Sequence, residues 1–171
     1  AQERYVRMSG ASNAKVEIKD NKINNYQGAD ADYIKVTDGT NVIIENNVLG
    51  ASTAAALQHL CNLATGTTNI TLTDDITGNV VLIQKPGVKI NIDGDSKKFN
   101  GFIKVHSNSE HYADAALTIK KVNFESSVAS TNFIEALENG SERYSTNITV
   151  QNCTFTATEE GVNTSVGVQI K

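Results

Sequence analysis

The 171-residue chain has no tryptophan, one proline, one methionine and two cysteines. Cys61 and Cys153 show none of the CxxC or Cys/His spacings of a tetrahedral zinc site, so two free thiols are expected, with Cys153 buried. No apolar run approaches the roughly 18 residues of a membrane-spanning helix. No stretch reads as a signal peptide, although the opening AQERY could follow signal removal. Charge of one sign is never gathered into a block: 15 basic and 19 acidic residues give a net charge of −4. That spread argues against a nucleic-acid footprint or a membrane-surface patch. A single proline beside many Asn, Thr, Val and Ile describes strands whose corners are turned by Asn, Asp and Gly. At this length one domain with a substantial core is expected.

The strand-forming residues are arranged in a repeat. ALTIKKVNF (116–124), NITVQNCTF (147–155), KVEIKDNKI (15–23) and NVIIENNVL (41–49) align as nine-residue units without a gap. Their second and fourth positions are apolar throughout: Leu117/Ile119, Ile148/Val150, Val16/Ile18 and Val42/Ile44. The ninth is Phe124, Phe155, Ile23 or Leu49, and the seventh Val122, Cys153, Asn21 or Asn47. Period-two alternation marks short strands with one buried face, and the mid-unit Asn marks a corner. Shorter strands precede these units: YVRM (5–8), YIKV (33–36), FIKV (102–105), FIEA (133–136) and GVQI (167–170). Their polar third position is Arg7, Lys35, Lys104, Glu135 or Gln169. Units recur from 15 to 41 and from 116 to 147, spacings of 26 and 31 residues, which point to a stacked β array or solenoid. Equivalent residues of adjacent coils then lie about 4.8 Å apart, so Asn21 and Asn47 are expected to bond through their amides as a structural ladder.

NVIIENNVL and NITVQNCTF resemble the NITIENNTF pattern in coils of the right-handed parallel β-helix, the pectin-lyase-like superfamily. Residues 53–101, from TAAALQHL to DGDSKKFNG, resemble the N-terminal cap of bacterial surface β-helix proteins, where an amphipathic helix leads into a strand. The resemblance implies an all-β solenoid domain over 1–171, with two coils in 1–50, a capping helix at 52–66 and further coils in 67–171. Within the cap, Ser52 or Thr53 is expected to start a helix over 53–64 that gathers Leu57, Leu60, Cys61 and Ala64 on one face, with Gly66 ending it. Such a cap normally opens a stack, yet two coils precede it here. A linker of three residues cannot return past a stack of coils, since each residue spans at most about 3.6 Å, so the helix is expected beside the 34–50 coil. It then separates two short stacks, or residues 1–50 join a neighbouring molecule's stack, or the chain is permuted or joined. VGVQIK leaves an open coil edge, which invites self-association with the YVRM coil of another copy.

The resemblance also implies where chemistry would lie. Pectate lyases hold calcium with several Asp and use an Arg base; polygalacturonases carry NTDG, a paired Asp-Asp, GHG and RIK. VTDGTN (36–41) echoes NTDG through Asp38, but the later motifs do not follow, and Asp38 reads as a turn residue. Asp74 and Asp75 read as a turn of the cap. Calcium is the one cofactor the sequence admits, through Asp93 and Asp95, which lack the further ligands that make six or more. His59 falls on the cap helix, and His106 and His111 flank a polar loop, with no nucleophile and base in order. Of the three arginines, Arg4, Arg7 and Arg143, only Arg7 lies on a repeated strand. The row Arg7, Lys35, Lys104, Glu135 and Gln169 occupies a face where this superfamily often forms a polysaccharide groove, with Tyr26, Tyr33 and Tyr112 as exposed aromatic candidates. The function expected is a non-enzymatic, structural or adhesive module of an extracellular bacterial surface protein, in weak contact with polysaccharide or host glycan. A polysaccharide lyase or glycoside hydrolase and a trimeric phage tailspike or fibre segment are the alternatives.

Overall fold

The computed structural model describes residues 6–9, 15–26, 34–37, 41–107, 112–127, 132–136, 147–158 and 166–170. Six strands come first: β1 (Val6–Met8), β2 (Lys15–Lys19), β3 (Lys22–Asn24), β4 (Ile34–Val36), β5 (Asn41–Glu45) and β6 (Val48–Ala51). One helix follows, α1 (Ala54–Leu63). Then come β7 (Thr67–Leu72), β8 (Ile76–Thr77), β9 (Val80–Gln84), β10 (Lys89–Asp93), β11 (Lys98–Asn100) and β12 (Ile103–Ser107). The last six are β13 (Ala116–Lys120), β14 (Asn123–Ser126), β15 (Asn132–Ala136), β16 (Ile148–Gln151), β17 (Thr154–Ala157) and β18 (Val166–Ile170). The described residues are thus mostly parallel strands in stacked sheets. None of their helices is long and apolar enough to cross a membrane.

From β7 onward every third strand returns to the same sheet. β7, β10, β13 and β16 share one sheet, β8, β11, β14 and β17 a second, and β9, β12, β15 and β18 a third. The alternation read from the sequence decides which side chains turn inward: Ile90 and Ile92 on β10, and Leu117 and Ile119 on β13, are buried between half-exposed or exposed neighbours. The corner of each nine-residue unit is its sixth position. There Asp20, Asn46, Lys121 and Asn152 adopt left-handed φ of 56°, 54°, 54° and 53°, a conformation that Asn and Asp tolerate best among residues with a Cβ. Inside, Phe99, Phe124 and Phe155 form a column with centroids 5.4 Å apart at each step. Its last member is 37% exposed, because Phe155 lies on the outermost strand of its sheet.

The two halves meet through backbone hydrogen bonds. β6 pairs with β3 on one side and β7 on the other, which makes one parallel sheet of six strands in the order β16-β13-β10-β7-β6-β3. Residues 1–50 therefore carry strands that continue the same chain's stack. This pairing corrects the column expected from the nine-residue units. Ile23 and Leu49, their ninth residues, do not align with Phe124 and Phe155; they align with Ile70, Ile92, Ile119 and Val150. The first repeats are thus displaced by one face relative to the later ones. The reason is α1, which occupies the chain between β6 and β7 and returns it to the sheet it left. Beyond this shared sheet the first half keeps two small sheets, β1-β4 and β2-β5.

Thr53 caps α1, its hydroxyl accepting from the Ala56 N–H at 3.1 Å, and Leu57, Leu60, Cys61 and Ala64 are buried on one face as expected. The helix stops at Leu63 with Ala64 as its C-cap, two residues before Gly66. On its outer side Gln58 donates from Nε2 to the Val81 carbonyl at 2.7 Å and accepts from the Val81 N–H at 2.7 Å. One side-chain amide thereby stands in for the missing strand beside the edge of β9.

Candidate functional site

The row expected to face a glycan is divided between two sheets. Arg7 pairs in register with Lys35 on β1 and β4, whereas Lys104, Glu135 and Gln169 align on β12, β15 and β18. A continuous five-residue row is therefore corrected to two short ones, split by the same displacement that α1 introduces. In the longer row Val81 precedes Lys104 and is 39% exposed. Lys104 stands 4.0 Å from Glu135 and lies over the Phe102 ring at 5.3 Å. Tyr26 is not an exposed aromatic: it is 1% exposed and belongs to the main core, since it follows β3 into the space beside α1. Tyr112 is half-buried. Asp38, Tyr33, His111, Arg4 and Arg143 lie outside the described residues.

Asp93 and Asp95 are paired with lysines. Asp93 Oδ2 lies 3.1 Å from Lys120 Nζ, and its Oδ1 accepts the Asp95 N–H at 3.0 Å. Burial pushes the Asp93 carboxyl up, but the Asp95 amide, Lys120 and Lys121 outweigh it and hold it below its ordinary value. Asp95 faces Lys22 at 3.9 Å. Among the described residues no three His, Cys, Asp or Glu side chains gather as a metal would need. Both cysteines are free. Cys61 is buried, which pushes its thiol up to about 12. Cys153 is half-buried rather than buried, because it lies between β16 and β17, which are the outermost strands of their sheets among the described residues.

Asn21 and Asn47 meet across the first two repeats, with Asn21 Nδ2 donating to Asn47 Oδ1 at 2.8 Å. Asn47 Nδ2 in turn donates to the Ile18 carbonyl at 2.8 Å. A second pair of the same kind joins Asn91 to Asn69 at 2.9 Å on the six-stranded sheet. These amides bond between strands and so stiffen the stack.

A concave feature of the described residues is a cleft where the first repeats meet α1 and β7. It has a volume of about 260 Å³. Leu49, Leu60, Leu63 and Ala64 give it an apolar floor, which Tyr26 closes. Asn47, Thr65, Thr67, Thr68 and Asn69 give it a polar rim. Part of that rim is committed internally: Asn47 bonds as described, and Thr68 Oγ1 donates to the Thr65 carbonyl at 3.0 Å. Asn69 accepts from Asn91 through Oδ1, so its amide N–H groups and the exposed Thr67 hydroxyl are left for a ligand or water. No Asp, Glu, Lys, Arg or His is among the described lining residues. The sequence did not disclose this cleft, because its walls come from four separate segments that converge only once β6 has paired with β7. No protein family, curated protein or solved structure matches the chain.

Proposed function

We propose that the chain is a right-handed parallel β-helix module of an extracellular bacterial surface protein, non-enzymatic, with a structural or adhesive role and weak glycan contacts. The observation that carries the reading is the six-stranded parallel sheet through both halves of the chain, which fits a stiff rod built by repetition. Support for the helical path comes from the return of every third strand to its own sheet, since parallel crossovers are right-handed in nearly every case. The surface placement rests on the resemblance of residues 53–101 to the caps of such proteins. The lysine partners of Asp93, Glu125 and Glu135 favour ion pairs along the outside of the rod over a pair of carboxyls working as acid and base. Self-association belongs to the same reading: Ile148, Val150 and Cys153 are only partly buried, and a second copy's repeat stacked on them would cover that end.

The test is a polysaccharide-degradation screen and a glycan array on one purified sample, with its mass measured by light scattering at micromolar concentration. Expected are glycan retention without new reducing ends and a mass above the monomer. Reducing ends or unsaturated products would replace the reading with a lyase or hydrolase, a threefold mass with a tailspike segment, and a strictly monomeric mass would remove self-association.

A further inference from the structure

We infer that the cleft between the first repeats, α1 and β7 is a binding site for one neutral sugar ring that carries a methyl group, such as an N-acetylhexosamine or a 6-deoxyhexose at the end of a glycan. The inference deepens the glycan contacts proposed above and rests on that reading.

Three properties of the cleft select this ligand. The first is size: an apolar cavity of about 150 Å³ takes a benzene ring, so about 260 Å³ takes a six-membered ring with its substituents. The second is charge. With no ionisable Asp, Glu, Lys, Arg or His on its described lining, the cleft offers nothing to offset the desolvation of a uronate or an amino sugar. The third is the division of its surface into an apolar floor of Leu49, Leu60, Leu63 and Ala64 and a rim carrying Thr67 and Asn69. A methyl group can rest on Leu63, the half-buried leucine of the cleft, while ring hydroxyls meet the Thr67 hydroxyl and the Asn69 amide, which is the usual economy of such sites, apolar walls with a few placed polar groups. The floor is held in place from both sides. Leu49 sits on β6 between two paired strands, and Leu60 belongs to the face of α1 that packs in the main core. A site so preformed loses little ordering entropy on binding. A ligand of this size is held weakly, with a dissociation constant on the order of 1 mM.

The test is amide-resolved NMR of the whole chain titrated with N-acetylglucosamine and L-fucose, with glucuronic acid and cyclohexanol as controls. Shifts centred on Leu63, Thr67 and Asn69 are expected for the two neutral sugars, at least tenfold weaker for either control. Thr67→Trp, which fills the mouth from an exposed strand position, should weaken binding at least tenfold. Thr149→Trp, also exposed on the same sheet, should leave it unchanged. Absence of shifts in the cleft, equal binding of glucuronic acid or cyclohexanol, or binding indifferent to Thr67→Trp would each overturn the inference. A glycan array separates the two levels. Retention that survives Thr67→Trp sinks the cleft and keeps glycan binding, whereas no retention by the parent protein sinks both.

Discussion

Four repeats turn the same corner with the backbone in left-handed φ, and three of them use Asp20, Asn46 or Asn152 there while the fourth uses Lys121. Lysine gains nothing in that conformation, and the strain of an ordinary side chain there is about 1 kcal/mol or more. Lys121→Asn should therefore raise stability by about 0.5–1 kcal/mol, read as a higher urea midpoint with an unchanged slope. A lower midpoint would mean that the attraction of Lys121 for Asp93 outweighs the strain. The corner was legible in the sequence where Asn152 and Asn46 mark it; at Lys121 it was legible only through the alignment of the units. Asp93 gives a second expectation. Burial raises its carboxyl, and the Asp95 amide with Lys120 and Lys121 lowers it further than burial raises it. The unfolded chain thus binds this proton more readily than the folded one, so the contribution is present above the unfolded value of about 3.9 and is lost as pH falls through the lower folded value. Asp93→Asn should lower the urea midpoint near pH 7, and the gap to the parent should close near pH 2. A gap that persists in acid would mean that the loss does not come from the charge of Asp93, since Asn keeps the oxygen that accepts the Asp95 N–H.

Among the elements, α1 was the most legible, because a capping Thr53 and an apolar face of Leu57, Leu60, Cys61 and Ala64 are local signals that tertiary structure had no reason to override. The role of Gln58 was not legible, since an outward polar residue on a helix ordinarily meets water. Its meaning appears only when β9 lies alongside, where both amide groups bond the Val81 backbone at 2.7 Å. Val81 and Ile83 on that strand are also exposed, at 39% and 40%, so β9 has the features of a strand that would pair with another chain if uncovered. Gln58→Ala should cost about 1 kcal/mol, because water can replace the exposed part of these bonds. The larger consequence is expected in association: the variant should scatter more light than the parent after prolonged warming below the unfolding midpoint. Equal scattering would show that the helix backbone alone shields this edge.

For the whole molecule, the sequence disclosed repetition and hid phase. Apolar residues two apart look alike on every face of a repeat, so nothing in KVEIKDNKI or NVIIENNVL tells whether Ile23 and Leu49 stack over Phe124 or over Ile119. Backbone pairing of β6 with β7 decides it, and the cleft follows from that choice, because the displaced repeats and α1 leave a gap beside the shared sheet. The displacement also divides the interior unequally. Ile23, Tyr26 and Leu49 belong to the large core that runs to Ile134 and Ala136, whereas Val16 and Ile18 form a separate small cluster with partly buried Val6, Ile34, Val36 and Val42. In stacked repeats each unit is held mainly by its neighbours, so local opening should follow this division rather than chain position. Hydrogen exchange followed by mass spectrometry should find peptides from β2 and β5 exchanging at least tenfold faster than peptides from β10 and β13. Peptides that contain β3 and β6 should behave like the slow set, because their strands continue the six-stranded sheet. If β3 and β6 exchanged with the fast set instead, the first half would open as one unit, the pairing of β6 with β7 would be the weak joint of the six-stranded sheet, and the cleft would open and close with it.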